Sequence, residues 1–165
     1  MAAFAAEGLS VPIHEIARRA GVGTGTVSRH FPTKEELYIA IVRGRIEKLV
    51  EQGQALAADD PRTGLFRFFA VAVNEFAENQ GLADALAGAG FDMQTVASGP
   101  HRDVMATLRE LLARAQKVGA VRRGIQAEDV KALMVSCCRG PQSADAAARQ
   151  RMVEVICQGL RPPRK

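Results

Sequence analysis

Thr24, Gly25, Ser28 and Arg29 fall on one side of a short helical period, with Val27 and Phe31, four residues apart, on the other. The first side presents hydroxyls, bare backbone and a guanidinium, the groups that hydrogen-bond base edges in a DNA groove, and a planar guanidinium can grip guanine with two bonds. Other candidate chemistry fails on detail. His14-Glu15-Ile16-Ala17-Arg18 starts like a zinc-protease helix but carries arginine where the second histidine should stand. Gly21, Gly23 and Gly25 miss dinucleotide-loop spacing, and a helix, not a strand, precedes them. There is no G-x-S-x-G or C-x-x-C, and His101 has no evident partner. We therefore expect no catalysis, no cofactor and no metal site.

The polar face needs a rigid mount, and Ile13 to Pro32 supplies one. Ile13, Ile16, Ala17 and Ala20 repeat at helical spacing and form the inward face of a first helix. Gly21 provides the positive φ that leaves this helix sharply, Val22 is expected to plug the turn, and small Ala17 lets a second helix cross closely. That second helix runs from about Thr24 to Phe31. The arrangement is a helix-turn-helix, whose second helix enters the major groove. Thr33 with Glu36 three residues on forms a capping box that opens the next helix and leaves Lys34 near the DNA backbone.

Past the second helix the chain reads His30, Phe31, Pro32, Thr33, Lys34, Glu35, Glu36, Leu37. This resembles the signature of the TetR-type (tetracycline-repressor-like) bacterial transcriptional regulators, and the match covers residues 9–42, about a fifth of the chain. Two features depart from the family pattern. Ser28 stands where members usually carry a tyrosine on the phosphate backbone. Members also have a full first helix after a polar arm, whereas Met1 to Glu7 gives about two turns before Gly8, with Phe4 its one large core residue. The natural chain is expected to begin upstream of this Met1, or its numbering inside that helix.

At 165 residues, 47% apolar and 24% charged, the chain has the composition of a soluble globular protein with ample length for a core. No stretch approaches the ~20 apolar residues of a membrane span and no secretory pattern opens the chain, so a cytoplasmic location is expected. Cys137, Cys138 and Cys157 lack metal spacing and suit a reducing compartment. Charge is uneven: +2 over residues 1–50, −5 over 51–100 and +7 over 101–165. We read most of the surplus as solvated helix surface, so DNA contact rests on a few placed groups and helix N-termini.

The rest of the chain reads as five or six helices, giving an all-α fold: a three-helix DNA-binding domain over residues 1–43 and a helical-bundle ligand-binding and dimerisation domain over 44–165. The helix opened by Thr33 should reach Ala57 or Ala58, with Leu37 and Ile41 packing on the helix-turn-helix and Ile46, Leu49, Gly53 and Leu56 on the remainder. Asp59-Asp60-Pro61 breaks it. A helix from Phe66 to Ala77 follows, Gly81 interrupts, and Leu82 to Ala89 forms a short helix ended by Gly90. Phe91 to Pro100 is the least regular stretch. His101 to Val118 is amphipathic, with Val104, Met105, Leu108, Leu111 and Leu112 on one side, and Gly119 and Gly124 bracket a turn. Two final helices, Ala127 to Cys138 and Ala144 to Leu160, are separated by Gly140-Pro141.

The resemblance implies that the last two helices pair with a symmetry mate as a four-helix bundle. Val130, Leu133, Cys137, Met152, Val155, Ile156, Gly159 and Leu160 are the interface candidates; a monomeric core would show a similar stripe. One short helix spans too few base pairs to specify a site, so a homodimer should read double-stranded DNA as an inverted repeat. Thr24, Gly25, Ser28 and Arg29 are assigned to the groove, and Thr26, His30 and Lys34 to phosphates. The family further implies a small-molecule effector, and family habit favours repression. Phe66, Phe69, Phe76, Phe91, Met93, Met105, Leu108 and Met134 could line its pocket, or serve as plain core, and their character favours a mostly apolar ligand. A thiol-based redox sensor on the same scaffold is the alternative; a helical adaptor that binds protein is another.

Overall fold

A computed structural model describes residues 12–97, 99, 103–139 and 145–163. Met1 to Gly8, Pro100-His101 and Gly140-Pro141, with Ala144 and the side chain of Ala20, lie outside the described residues. All regular structure among the described residues is helical: α1 Ile13–Ala20, α2 Thr24–His30, α3 Lys34–Asp59, α4 Gly64–Gly88, α5 Met93–Ala97, α6 Val104–Lys117, α7 Ala127–Cys138 and α8 Ala146–Leu160. Among them no helix is long and apolar enough to cross a membrane. The all-α expectation holds.

The chain divides into two compact units, residues 1–45 with 78–98 and residues 46–77 with 99–165. In the first unit, Ile16 and Ala17 of α1 and Leu37, Tyr38 and Val42 of α3 are buried. Burial raises the Tyr38 phenol above its usual range, and the Glu35 charge adds to the effect. Leu82, Leu86 and Val96 are buried in the same unit. Asp92 caps α5, accepting from the backbone N–H of Gln94 at 3.0 Å and of Thr95 at 3.2 Å, and Arg43 Nε donates to Val96 O at 3.4 Å.

Here the structure corrects two expectations. Gly81 does not interrupt α4, which runs unbroken from Gly64 to Gly88. A glycine inside a helix costs only about 1 kcal/mol relative to alanine, and the buried pair Leu82 and Leu86 continues the apolar face past it. The stretch after Phe91 is also more regular than expected, since α5 occupies part of it.

The second unit has one apolar core, in which Leu49, Phe68, Phe69, Leu108, Leu111, Val130, Met134, Val153 and Leu160 are almost fully enclosed. Three of its helices start on polar caps. Asp103 accepts from Ala106 N at 2.8 Å, Gln126 and Asp129 form a reciprocal capping box on α7, and Asp145 accepts from Ala147 N at 2.9 Å. The packing of α3 here requires a glycine. A Cβ on Gly53 would strike Thr107 Cγ2 and lie 2.8 Å from Phe68 Cε2. The buried Arg149 guanidinium donates to Asn74 Oδ1 at 3.0 Å.

Candidate nucleic-acid interface

The corner between α1 and α2 is built as the sequence requires. Gly21 has φ +67°, and its neighbour Val22 sends its N–H back to Ala17 O at 3.0 Å. An L-residue pays of order 1–2 kcal/mol in that backbone region. Ala17 is fully buried where the two helices pack. Val22 does not plug the turn: it is 44% exposed, because the backbone bond to Ala17, not its side chain, closes the corner.

Helix α2 has no buried residue. Thr24, Gly25, Thr26, Ser28, Arg29 and His30 are all exposed, whereas Val27 and Phe31 are half-buried. Its amide end is open for hydrogen bonding, since Gly23 provides no side-chain cap. At its other end Phe31 N donates to Val27 O at 2.9 Å. The capping box on α3 is present: Glu36 N donates to Thr33 Oγ1 at 3.2 Å and Thr33 N to Glu36 Oε2 at 3.4 Å. This fixes the first turn of α3 and the half-buried Lys34 with it. On α1, Glu15 is engaged by Arg18 at 2.6 Å. Their hydrogen bond, and then the charge of Glu15, raises the pKa of Arg18.

The remaining site candidates sort by burial. Phe66, Phe69, Leu108 and Met134 are enclosed in the core of the second unit, with Phe76 and Met105 packed on its edge. Phe91 and Met93 belong to the first unit. Of the interface candidates, Val130, Cys137 and Leu160 are buried in the core of their own chain. Leu133, Met152 and Ile156 are half-buried, and Val155 is 71% exposed. Gly159 lines a groove of about 780 Å³ together with Arg62, Arg122 and Arg161. Sequence reasoning missed that groove, although its signal was visible as the positive excess of the last 65 residues.

Burial pushes the thiols up, those of Cys138 and Cys157 to about 11, and the charge of Cys137 adds a smaller push to both. Cys137 is raised by burial as well. Cys138 spends its S–H on Met134 O at 3.2 Å and Val73 O at 3.5 Å. Protonated thiols are poor nucleophiles, which weighs against the redox-sensor reading.

A glycine-cornered helix pair whose second helix keeps all its polar residues exposed is the architecture of a helix-turn-helix. Residues 1–41 match the family described as bacterial regulatory proteins, tetR family, and residues 60–162 match the transcriptional regulator SbtR-like C-terminal domain. A TetR transcription regulatory protein from Mycobacterium vanbaalenii is 45% identical, with TM-score 0.79 and coverage of 96% of this chain and 88% of that one. The TetR transcriptional regulator SCO0520 from Streptomyces coelicolor is 30% identical, with TM-score 0.77 and coverage of 99% and 96%. The TetR family regulator PfmR from Thermus thermophilus, at 24% identity, TM-score 0.61 and coverage of 97% and 95%, shares the fold. No curated protein gives a significant match. The chain belongs to the TetR family of bacterial transcriptional regulators, whose members bind DNA and typically dimerise.

Proposed function

We propose that this protein is a cytoplasmic repressor that binds an inverted-repeat operator as a homodimer and leaves it when a small, mostly apolar effector occupies the second unit. The observation that carries the reading is the exposure of every polar residue of α2 above a half-buried Val27 and Phe31. Thr24, Gly25, Ser28 and Arg29 face the major groove, with Arg29 gripping a guanine, while Thr26, His30 and Lys34 hold phosphates. Ser28 is too short to replace the tyrosine usual at its position, so affinity leans more on Lys34 and on the amide end of α2.

Dimerisation uses the exposed stripe of α7 and α8: Leu133, Met152, Val155 and Ile156. The effector binds among Phe66, Phe69, Phe76, Met105, Leu108 and Met134, where half-buried Phe76 and Met105 give way first. It favours a dimer conformation with the two recognition helices at the wrong separation, which shifts the population off DNA. The DNA-binding part comprises residues 1–43 and the regulatory part residues 44–165. A gel shift with genomic fragments at defined salt tests the function. Retarded fragments sharing an inverted repeat support it, and a chain that retards none of them, as a protein-binding adaptor would, overturns it.

A further inference from the structure

The second unit carries a surface feature that operator binding and an apolar effector leave unused. A groove of about 780 Å³ is lined by Arg62, Thr63, Gly119, Arg122, Gln158 and Arg161, among others, a size that suits a small-molecule site. Among the described residues no acidic side chain lines it, and no carboxylate forms an ion pair with any of its three arginines. The adjacent Asp60 turns its oxygens onto its own loop, accepting from Arg62 N at 2.8 Å and Thr63 Oγ1 at 2.7 Å. Asp60 feels the charge of Arg62 as well, but its oxygens are taken up by the loop, and three arginines line the groove.

Each arginine sits on a fixed segment. Arg62 follows the Asp60 turn, whose backbone closes through Gly64 N to Asp60 O at 2.8 Å. Arg122 N donates to Leu160 O at 3.1 Å, and Gln116 Nε2 clamps the same turn by donating to Arg122 O and Ile125 O, each at 2.9 Å. The Arg161 guanidinium stacks on the Phe66 ring, 4.2 Å from its centroid. Stacking leaves the edge of that planar fork available for hydrogen bonds while restricting its rotamers. A guanidinium held in advance, as that of Arg161 is, loses little entropy on capturing a group with several anionic oxygens.

We propose that this groove is a binding site for a diphosphate group, bordering the apolar effector set at Phe66, in which Arg62, Arg122 and Arg161 together neutralise its charge. The test is isothermal titration of the full-length protein with inorganic pyrophosphate and, in a second arm, with ADP. Saturable binding is expected, weakened at least about tenfold by Arg122→Ala or Arg62→Ala, since each removes charge-assisted hydrogen bonds. Arg109→Ala, which breaks the surface pair of Arg109 with Glu128 at 3.2 Å, should leave it unchanged and controls for net charge. Tighter binding of ADP than of pyrophosphate assigns the group to a nucleotide; equal binding assigns it to a free anion. Absence of saturable heat in both arms, or an equal loss in Arg109→Ala, overturns the proposal. Both groove variants exchange exposed side chains, and an unchanged thermal melt verifies that they fold.

Discussion

Arg29 and Lys34 lie close together in sequence, yet base reading and phosphate contact carry opposite signatures. Arg29→Ala should cost roughly 1–3 kcal/mol on the operator and relax preference at one base pair, whereas Lys34→Ala should weaken every duplex alike and flatten the salt dependence. Fluorescence anisotropy on operator and random DNA across a salt series separates the two; equal losses on both duplexes for Arg29→Ala would refute its base-reading role. The thiols make a second prediction at this scale. A cysteine whose folded pKa is raised keeps its proton longer in the folded state than in the unfolded chain, where thiols ionise near pH 8.5. Its stabilising effect is therefore complete below that pH and is lost as pH rises towards about 11, the value for Cys138 and Cys157. The raised phenol of Tyr38 acts in the same direction at higher pH. The urea midpoint should fall between pH 8 and pH 10, and Cys138→Ala should reduce the fall; a midpoint that climbs with pH would contradict the burial argument.

Elements were legible where a single residue type has a single physical use. Gly21 at positive φ, Ala17 at a helix crossing and Thr33 with Glu36 at a helix start each admit few alternatives, so the helix-turn-helix and the opening of α3 could be read directly. Gly81 misled because a mid-helix glycine is a weak breaker once the packed face continues beyond it. The effector set was less legible for a different reason: Phe and Met at helical spacing look alike whether they line a cavity or fill a core, and only burial shows that Phe69 and Leu108 are fully enclosed while Phe76 and Met105 are not. Two substitutions test the positioning elements. Thr33→Ala removes the cap accepted from Glu36 N and should lower stability by about 0.5–2 kcal/mol, with a loss of operator affinity as the first turn of α3 frays around Lys34. Gly53→Ala forces a Cβ against Thr107 and the fully buried Phe68 and should cost roughly 1–3 kcal/mol. A melting temperature at or above wild type would show that the contact between α3 and α6 is looser than the geometry requires.

For the molecule as a whole, the proposed reading of an inverted repeat depends on twofold pairing. The sequence could mark the stripes of α7 and α8 but could not tell their inward from their outward members, because both repeat at three and four residues. Burial assigns Val130, Cys137 and Leu160 to the chain's own core and leaves Val155 as the most exposed large apolar side chain among the described residues. Val155→Glu should therefore shift the dimer towards monomer in sedimentation velocity without lowering the melting temperature of the protomer, and should weaken operator binding more than Arg29→Ala does. An undisturbed dimer would place the interface elsewhere. Selection of bound duplexes from a random pool with the wild-type protein tests whether the chain reads a twofold-symmetric site. Enrichment of a single inverted repeat whose half-sites lie about one or two helical turns apart is the predicted result, and a pool that returns no shared sequence after repeated rounds would contradict the account.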